Sequence, residues 1–253
     1  MEIVIIGSGN VASVLGRKFK AAGHTIAQVY SRNASAASHL AYEWDTESTN
    51  YKSLIYQKAD VYLIAVPDDA IDEVVNELKL PGKVVAHTAA SVSRDILKDV
   101  SPHHGVFYPL QSLRKEMPVT TEIPMFIDAS DDKSRRILEE LATSISAEKV
   151  SSAPDSDRLK FHVAAVVVSN FTNHLYALAE QYCKKEGISF KQLLPLIEET
   201  ALRIRTISPK EAQTGPAVRH DRDTIQKHIE LLKDDPALHN IYVLMTESIQ
   251  QFE

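Results

Sequence analysis

The sequence predicts an α/β fold in which a mostly parallel sheet is followed by an all-α domain. In its first half, short β-branched runs such as EIVIIG, TIAQVYS and VYLIAVP alternate with amphipathic stretches, which is typical of a sheet covered by helices on both faces. After Pro154 the apolar residues recur at helical spacing instead. We therefore predict two domains, residues 1–153 and residues 154–253, divided where the pattern changes.

Further along the first domain, KVVAHT, GVFYPLQS and PMFIDAS have the same strand character. ASDDKSRRILEELATSIS then predicts a helix with Ser130 as its N-cap, because acidic residues follow in the first turn. EKVSSA is predicted as a final edge strand. In the second domain, the segment from Asp155 to Gly187 predicts one helix of about thirty residues ended by that glycine. Three more helices are predicted in SFKQLLPLIEETALRIRTI, DRDTIQKHIELLKDD and PALHNIYVLMTESIQQF.

Composition argues against several classes of function. The chain of 253 residues has a net charge of −6, which disfavours nucleic acid as a partner, and it lacks the run of about 18 apolar residues that spans a membrane. Its one cysteine, Cys183, fits a reducing cytoplasm, and the strand-like residues after Met1 do not resemble a secretory signal. We expect a cytoplasmic protein without a metal site, because the adjacent His103 and His104 would not converge on one ion in most backbones.

GSGNVA lies between the first predicted strand and the helical pattern VASVLGRKFKAAG. This context indicates a dinucleotide-binding loop, and with it a Rossmann-like, doubly wound sheet. The glycines permit a tight turn and the close approach of a pyrophosphate, and the alanine in third place keeps the helix near the sheet. The alternative is a tight β–α turn without a ligand. The predicted phosphate-binding residues are Gly7, Ser8, Gly9, Asn10, Val11 and Ala12.

The end of the second predicted strand indicates which dinucleotide is bound. An NAD site usually has Asp or Glu there for the ribose hydroxyls, whereas this chain has Ser31, Arg32 and Asn33. Because Arg32 can pair with a 2′-phosphate and Ser31 can donate a hydrogen bond, we predict NADP(H) as the cofactor. A solvated surface arginine is the alternative.

Two further strand ends are predicted to reach the same edge of the sheet. In AVPDDAI, the backbone of Val66 and Pro67 would lie beside the cofactor, with Asp68 as a helix N-cap. In HTAAS, His87 could contact nicotinamide or substrate, and a histidine satisfied by the backbone is an equal alternative.

The long predicted helix carries polar residues in an apolar setting. His162, Ser169 and Asn173 are spaced by seven and four residues, so they fall on nearly one face, with Asn170 to its side. Because buried polar groups need partners, this stripe is predicted to face a ligand cleft, with hydrogen bonds between helices as the alternative.

The loop TGPAVRHD combines a rigid backbone with polar side chains. Gly215 and Pro216 fix its conformation, and Thr214 offers a hydroxyl that we assign to the cleft. Asp221 is assigned to the cap of the next helix. A plain turn followed by a cap is the alternative.

Taken in order, seven segments resemble those of bacterial NADP oxidoreductases that pair a Rossmann-like domain with a helical domain of unknown function: GSGNVA, SRN, AVPDDAI, HTAAS, FYPLQSL, SNFTN and TGPAVRHD. The chain is more distantly similar to pyrroline-5-carboxylate reductase, ketopantoate reductase and the deazaflavin-dependent NADP reductases. The resemblance implies a nucleotide cofactor, a cleft between the domains and a homodimer formed through the helical domains.

The chain departs from this family at two positions. Members often have histidine where it has Tyr108, and glycine where it has His220. If the family histidine has a catalytic duty, Tyr108 or the nearby His104 must replace it here.

From these observations we predict an NADP-dependent oxidoreductase that transfers a hydride between NADP(H) and a small C=O or C=N substrate bound between the domains. The alternatives are a non-catalytic NADP(H) sensor or ligand-binding protein, and hydride transfer between NADP and a deazaflavin. The candidate catalytic residues are His87, His162, Ser169, Asn170, Asn173 and Thr214.

Overall fold

The computed structural model describes residues 1–76, 78–147 and 149–252. Its contacts divide the chain into two units, Met1–Asn170 and a second unit from Phe171 onward. The predicted limit between residues 153 and 154 follows the end of the last strand. The first helix after this limit belongs to the first unit, because its side chains contact the sheet. Glu148, the first residue of the predicted EKVSSA strand, and Glu253 lie outside the described residues.

The first unit is built on one mostly parallel sheet. Its described strands are β1 (Glu2–Ile6), β2 (Thr25–Tyr30), β3 (Glu47–Thr49), β4 (Val61–Ile64), β5 (Val84–His87), β6 (His104–Pro109), β7 (Met125–Ala129) and β8 (Val150–Ser152). They lie in the order β3-β2-β1-β4-β5-β6-β7-β8, and of the neighbouring pairs only β6 and β7 run antiparallel in these ranges. This is the doubly wound order, so the predicted fold class is confirmed. β3 escaped prediction because its three residues, EST, carry no apolar run.

Helices cover both faces of this sheet. Along β1, Ile3 and Ile5 pack into one buried cluster, whereas Val4 and Ile6 pack into another. Successive side chains of a strand point to opposite faces, so an unbroken apolar run is what a strand buried on both faces requires. The described helices are α1 (Asn10–Ala21), α2 (Ala34–Trp44), α3 (Ile71–Val75), α4 (Asp132–Ile145), α5 (Asp155–Ala165), α6 (Thr172–Lys185), α7 (Leu194–Arg203), α8 (Arg222–Leu231) and α9 (Pro236–Gln251).

Gly16 sets how closely α1 packs against α2. A Cβ atom built on Gly16 would lie 2.3 Å from the ring of Trp44, which is itself only 2 % exposed. No side chain larger than hydrogen fits there without moving the indole. No sequence pattern marks this glycine, because its neighbour comes from the next helix.

Two predicted caps are wrong by a single residue. The N-cap of α4 is Asp131 rather than Ser130, and it forms a reciprocal capping box with Ser134. Ser130 instead accepts a hydrogen bond from the His104 N–H at 2.9 Å, because its hydroxyl lies beside β6. Asp68 is the first residue of a 3₁₀ turn whose N-cap is Pro67, without a side-chain cap.

The predicted long helix is present but changes pitch. A π-helical segment, Val166–Phe171, separates α5 from α6, and Gly187 follows α6 with a φ of +71°. The predicted end at glycine is therefore confirmed. The predicted cap of α8 is also confirmed, because the Asp221 side chain accepts a hydrogen bond from the Thr224 N–H. π segments are rare and are frequently found at functional sites.

The second unit has little buried apolar surface of its own. Among its described residues, the buried ones are Leu178, Cys183, Ala217 and Leu232. Large apolar side chains are exposed on α7, α8 and α9, and also at Phe171 before α6 and Phe252 after α9. Across the described chain, no helix is both long and apolar enough to cross a membrane.

Candidate functional site

A groove of 580 Å³ opens at the carboxyl ends of the strands, where the strand order reverses between β1 and β4. Ligands of doubly wound sheets bind at such a reversal. The groove brings together every predicted cofactor residue except one: Gly7, Ser8, Gly9, Asn10, Val11, Ser31, Arg32, Asn33, Val66 and Pro67. Ala12 is fully buried and packs in the core behind the loop. Thr88 and Leu113 line the groove as well.

The two loop glycines serve different purposes. Gly7 has a φ of +127°, and a Cβ on it would lie 2.1 Å from the carbonyl oxygen of Ala65, so glycine is needed for the fold itself. A Cβ on Gly9 would meet no atom within 4 Å, so glycine there leaves open space in the groove. α1 begins at Asn10 without an acidic residue in its first turn. Free N–H groups and open space fit a dinucleotide pyrophosphate.

At one end of the groove, the residues after β2 are held by neighbours. The hydroxyls of Ser8 and Ser31 lie 2.8 Å apart. The Asn33 side chain accepts from the Ala36 N–H and thereby caps α2. Arg32 lies in the groove wall and forms an ion pair with Glu73 of α3, a residue that sequence analysis missed.

His87 is held by the backbone, which is one of the two alternatives predicted for it. Its side chain is fully buried, Nδ1 accepts from the Ala89 N–H at 3.2 Å, and Nε2 lies 3.3 Å from the Ser93 carbonyl oxygen. Burial, and next the nearby charge of Arg158, lower the pKa of His87 to about 4. The imidazole is therefore neutral near pH 7, and it lines neither the groove nor the cavity described next.

A second cavity, of 440 Å³, lies after β6 and contains three of the predicted catalytic residues. His162, Ser169 and Asn170 line it together with Tyr108 and Ser112. The Tyr108 hydroxyl lies 3.0 Å from His162 Nδ1, and the hydroxyls of Ser112 and Ser169 lie 2.7 Å apart. Two residues of the polar face predicted for the helix, His162 and Ser169, therefore share hydrogen bonds with β6 and with the loop after it.

Tyr108, rather than His104, occupies the cavity. His104 begins β6 and its Nδ1 lies 2.9 Å from the Ser101 carbonyl oxygen, whereas Tyr108 is near the other end of the strand. Burial raises the pKa of Tyr108, although the charge of Arg158 opposes this shift, so the phenol stays protonated at neutral pH.

Arg158 fixes the start of α5 and was not predicted. Its side chain is 1 % exposed and donates to the carbonyl oxygens of Ala90 at 3.1 Å and Val92 at 2.6 Å, and to Asp155 at 2.8 Å. A buried arginine that satisfies this many acceptors ties the helix to the loop after β5. Because His162 lies one turn further along α5, the same anchor sets the position of its imidazole.

Asn173 and Thr214 belong to the second unit and are both exposed. Their assignment to a ligand cleft stays a prediction. His220, where family members often have glycine, has a φ of +50°, the left-handed conformation that glycine adopts most readily. In the parts of the chain that the structure describes, no three histidine, cysteine or acidic side chains cluster as metal ligands.

The model of a domain of unknown function, DUF2520, matches residues 123–249, half of the chain. The chain belongs to the DUF2520 family. A second model, described as NADP oxidoreductase coenzyme F420-dependent, matches residues 2–91. These matches confirm the predicted membership of an NADP oxidoreductase family with a C-terminal domain of unknown function. No curated protein sequence matches this DUF2520 chain.

Solved structures support the same assignment. A "putative NADP oxidoreductase" from Bacteroides fragilis is 37 % identical, with a TM-score of 0.89 over 99 % of this chain and 98 % of its own. An imine reductase from Myxococcus stipitatus in complex with NADP+ is 15 % identical, with a TM-score of 0.68 over 99 % and 93 % of the two chains. A 1-pyrroline-5-carboxylate reductase from Streptococcus pyogenes is 14 % identical, with a TM-score of 0.67 over 100 % and 99 %. At these lower identities, the likeness concerns the fold.

Proposed function

We propose that the protein is an NADP-dependent oxidoreductase that transfers a hydride between NADP(H) and a small substrate with a C=O or C=N bond. The observation that carries this proposal is the position of the groove and the cavity along one sheet edge. The groove extends from Arg32 after β2 to Thr88 after β5, and the cavity begins at Tyr108 on the next strand, β6. Within the loop after β6, Leu113 lines the groove and Ser112 lines the cavity.

This order supports an assignment of the two ends of the cofactor. Arg32 would take the adenosine 2′-phosphate, and the first turn of α1 would take the pyrophosphate. Thr88 and Pro67 would then flank the nicotinamide, on the side of the groove nearest to Tyr108. When bound, NADPH would supply the hydride, and the cavity would hold the carbon that accepts it.

The Tyr108–His162 pair is proposed as the proton donor. Hydride addition to C=O or C=N leaves charge on oxygen or nitrogen, which a positioned acid must neutralise. When His162 carries its proton on Nδ1, the Nδ1–H donates a hydrogen bond to the phenol oxygen. The Tyr108 O–H is then free to donate to the substrate. The hydroxyls of Ser112 and Ser169 would orient the substrate beside it, with Asn170 on the same wall. Asn173 and Thr214 remain proposed contributors.

The test combines binding with turnover. Purified protein is titrated with NADPH and NADH by nicotinamide fluorescence, and NADPH oxidation is then measured with cyclic imines, small ketones and a deazaflavin. We expect preference for NADPH and turnover of an imine or ketone. Binding without any turnover would favour the non-catalytic sensor, and absence of binding for both nucleotides would contradict the proposal. Turnover of the deazaflavin alone would replace the small substrate by that cofactor.

We also propose that the protein is a cytoplasmic homodimer formed through the helical unit. Several large apolar side chains of this unit are exposed, among them Leu196 and Leu244 at 62 % and 65 %, and we propose that they form the dimer interface. The one cysteine, Cys183, is buried and forms no disulfide, which is compatible with the cytoplasm. Sedimentation equilibrium should give twice the chain mass, and Leu196→Asp should lower it. A monomer at micromolar concentration would contradict this proposal.

A further inference from the structure

An ion pair stands at the end of the groove that the proposed function gives to the adenosine. Arg32 Nη1 lies 2.5 Å from Glu73 Oε2, and the two side chains are 61 % and 59 % exposed. Arg32 follows β2 and Glu73 belongs to α3, so the pair joins two elements that flank the groove. The groove-lining phenol of Tyr30 is close to both charges: burial raises its pKa, Arg32 opposes the shift and Glu73 adds to it.

We propose that Glu73 is a specificity-determining residue, whose carboxylate competes with the 2′-phosphate of NADP(H) for Arg32 and so limits the preference for NADP(H) over NAD(H). The inference rests on the proposed function, because it assumes that the groove holds a dinucleotide. It explains why a chain that lacks an acidic residue after β2 still has a carboxylate beside the arginine found there.

The competition follows from the chemistry of a single guanidinium. Arginine binds carboxylates and phosphates through the same N–H fork, so it cannot serve both fully at once. An exposed carboxylate pair is weak, which lets a phosphate displace it. The displaced Glu73 then stands near a group that carries more negative charge than itself, and like charges repel.

Glu73 cannot move far away once it has been displaced. The Lys52 ammonium donates to the backbone carbonyl oxygens of Glu73 and of Asn76, the second at 3.3 Å. These two hydrogen bonds fix the last turn of α3 against the segment before β4. The Glu73 carboxylate therefore stays within reach of Arg32 whether or not the two are paired.

The neighbouring residue offers a matched control. Asp72 precedes Glu73 on α3, is exposed and carries the same charge, yet it forms no ion pair with Arg32 in the described structure. Asp72→Asn and Glu73→Gln thus remove one negative charge each from the same short helix, and only the second removes the competitor.

The experiment measures the Kd of NADPH and of NADH for the full-length wild type, Glu73→Gln, Asp72→Asn, Arg32→Ala and the Arg32→Ala/Glu73→Gln double variant. Glu73→Gln should bind NADPH about fivefold more tightly, which is the upper end of what an exposed pair contributes. Its Kd for NADH should stay within about twofold of wild type, and Asp72→Asn should change both less than about twofold. The gain should shrink in the Arg32→Ala background, because the competition requires Arg32.

Three results would overturn the inference while the proposed function stands. They are NADPH binding that Glu73→Gln leaves unchanged, an equal gain for NADPH and NADH, and an equal gain with and without Arg32. The last would mean simple repulsion rather than competition. A wild type that binds neither nucleotide would overturn the proposed function, and the inference with it.

Discussion

Replacing each loop glycine by alanine should separate the fold from the cofactor site. In Gly7→Ala the new Cβ would lie 2.1 Å from the Ala65 carbonyl oxygen, at a φ of +127°. A non-glycine residue held in such a conformation costs of order 1–3 kcal/mol, and the overlap with backbone adds to it. We expect the free energy of unfolding to fall by about 3 kcal/mol.

Gly9→Ala should behave in the opposite way. Gly9 has a φ of −82°, which alanine adopts without strain, and its Cβ would meet no atom within 4 Å. The free energy of unfolding should stay the same or rise by about 0.5 kcal/mol, because alanine restricts the unfolded chain. NADPH should bind about tenfold more weakly, since the methyl group occupies the space left for the pyrophosphate.

Urea unfolding and NADPH titration of the two variants check this pair of expectations. Equal destabilisation by both substitutions would refute the distinction between a glycine needed for the turn and a glycine needed for space. An unchanged Kd in Gly9→Ala would remove the pyrophosphate from this loop. Gly23→Ala is a useful reference for strain without overlap, because Gly23 has a φ of +84° and open surroundings.

Three further predictions concern buried polar groups of the first unit. Tyr108→Phe should lower kcat about a hundredfold and leave the Kd of NADPH within about twofold, as single-turnover and titration data would show; an unchanged kcat would remove the phenol from proton transfer. Arg158→Met should lower the free energy of unfolding by about 3 kcal/mol in urea titrations, because it leaves buried carbonyl oxygens unpaired; a loss below about 1 kcal/mol would contradict the anchoring role. Folding lowers the pKa of His87 from 6.5 to about 4, so the folded protein favours the neutral imidazole. The stability that depends on this neutral form is fully present above pH 6.5. This contribution, about 3 kcal/mol, should be lost as pH falls from 6.5 towards 4, and His87→Gln should flatten that part of the pH profile; a wild-type profile already flat there would refute the shift.

Much of the first unit could be predicted because its signals are local. The unbroken apolar run of EIVIIG predicts a buried strand by itself, and the glycines after it predict the tight turn that Gly7 makes with a positive φ. The roles of Glu73 and Arg158 could not be predicted. Most charged residues on helices are solvated, and nothing in the local sequence distinguishes these two from the others. Their partners come from other elements and are known only once the chain has folded.

The residues of the cavity could be predicted only in part. Helical spacing predicts that His162 and Ser169 share a face, and both line the cavity, but no pattern in the sequence places Ser112 opposite Ser169. Tyr108 became a candidate only because members of the similar NADP oxidoreductase family often have histidine at this position. Ser130 and Asp131 are both good capping residues, and the register of one residue was decided by the contact of Ser130 with β6.

The contact between Gly16 and Trp44 gives the protein an optical probe of its own. Trp44 is the one tryptophan of the chain, it is 2 % exposed, and its indole N–H has no hydrogen-bond partner in the described structure. Its emission should therefore be blue-shifted in the folded protein and move to the red when α1 separates from α2. Because α1 begins directly after the loop that contains Gly7 and Gly9, tryptophan fluorescence reports the integrity of the first unit and does not report on the helices beyond Phe171.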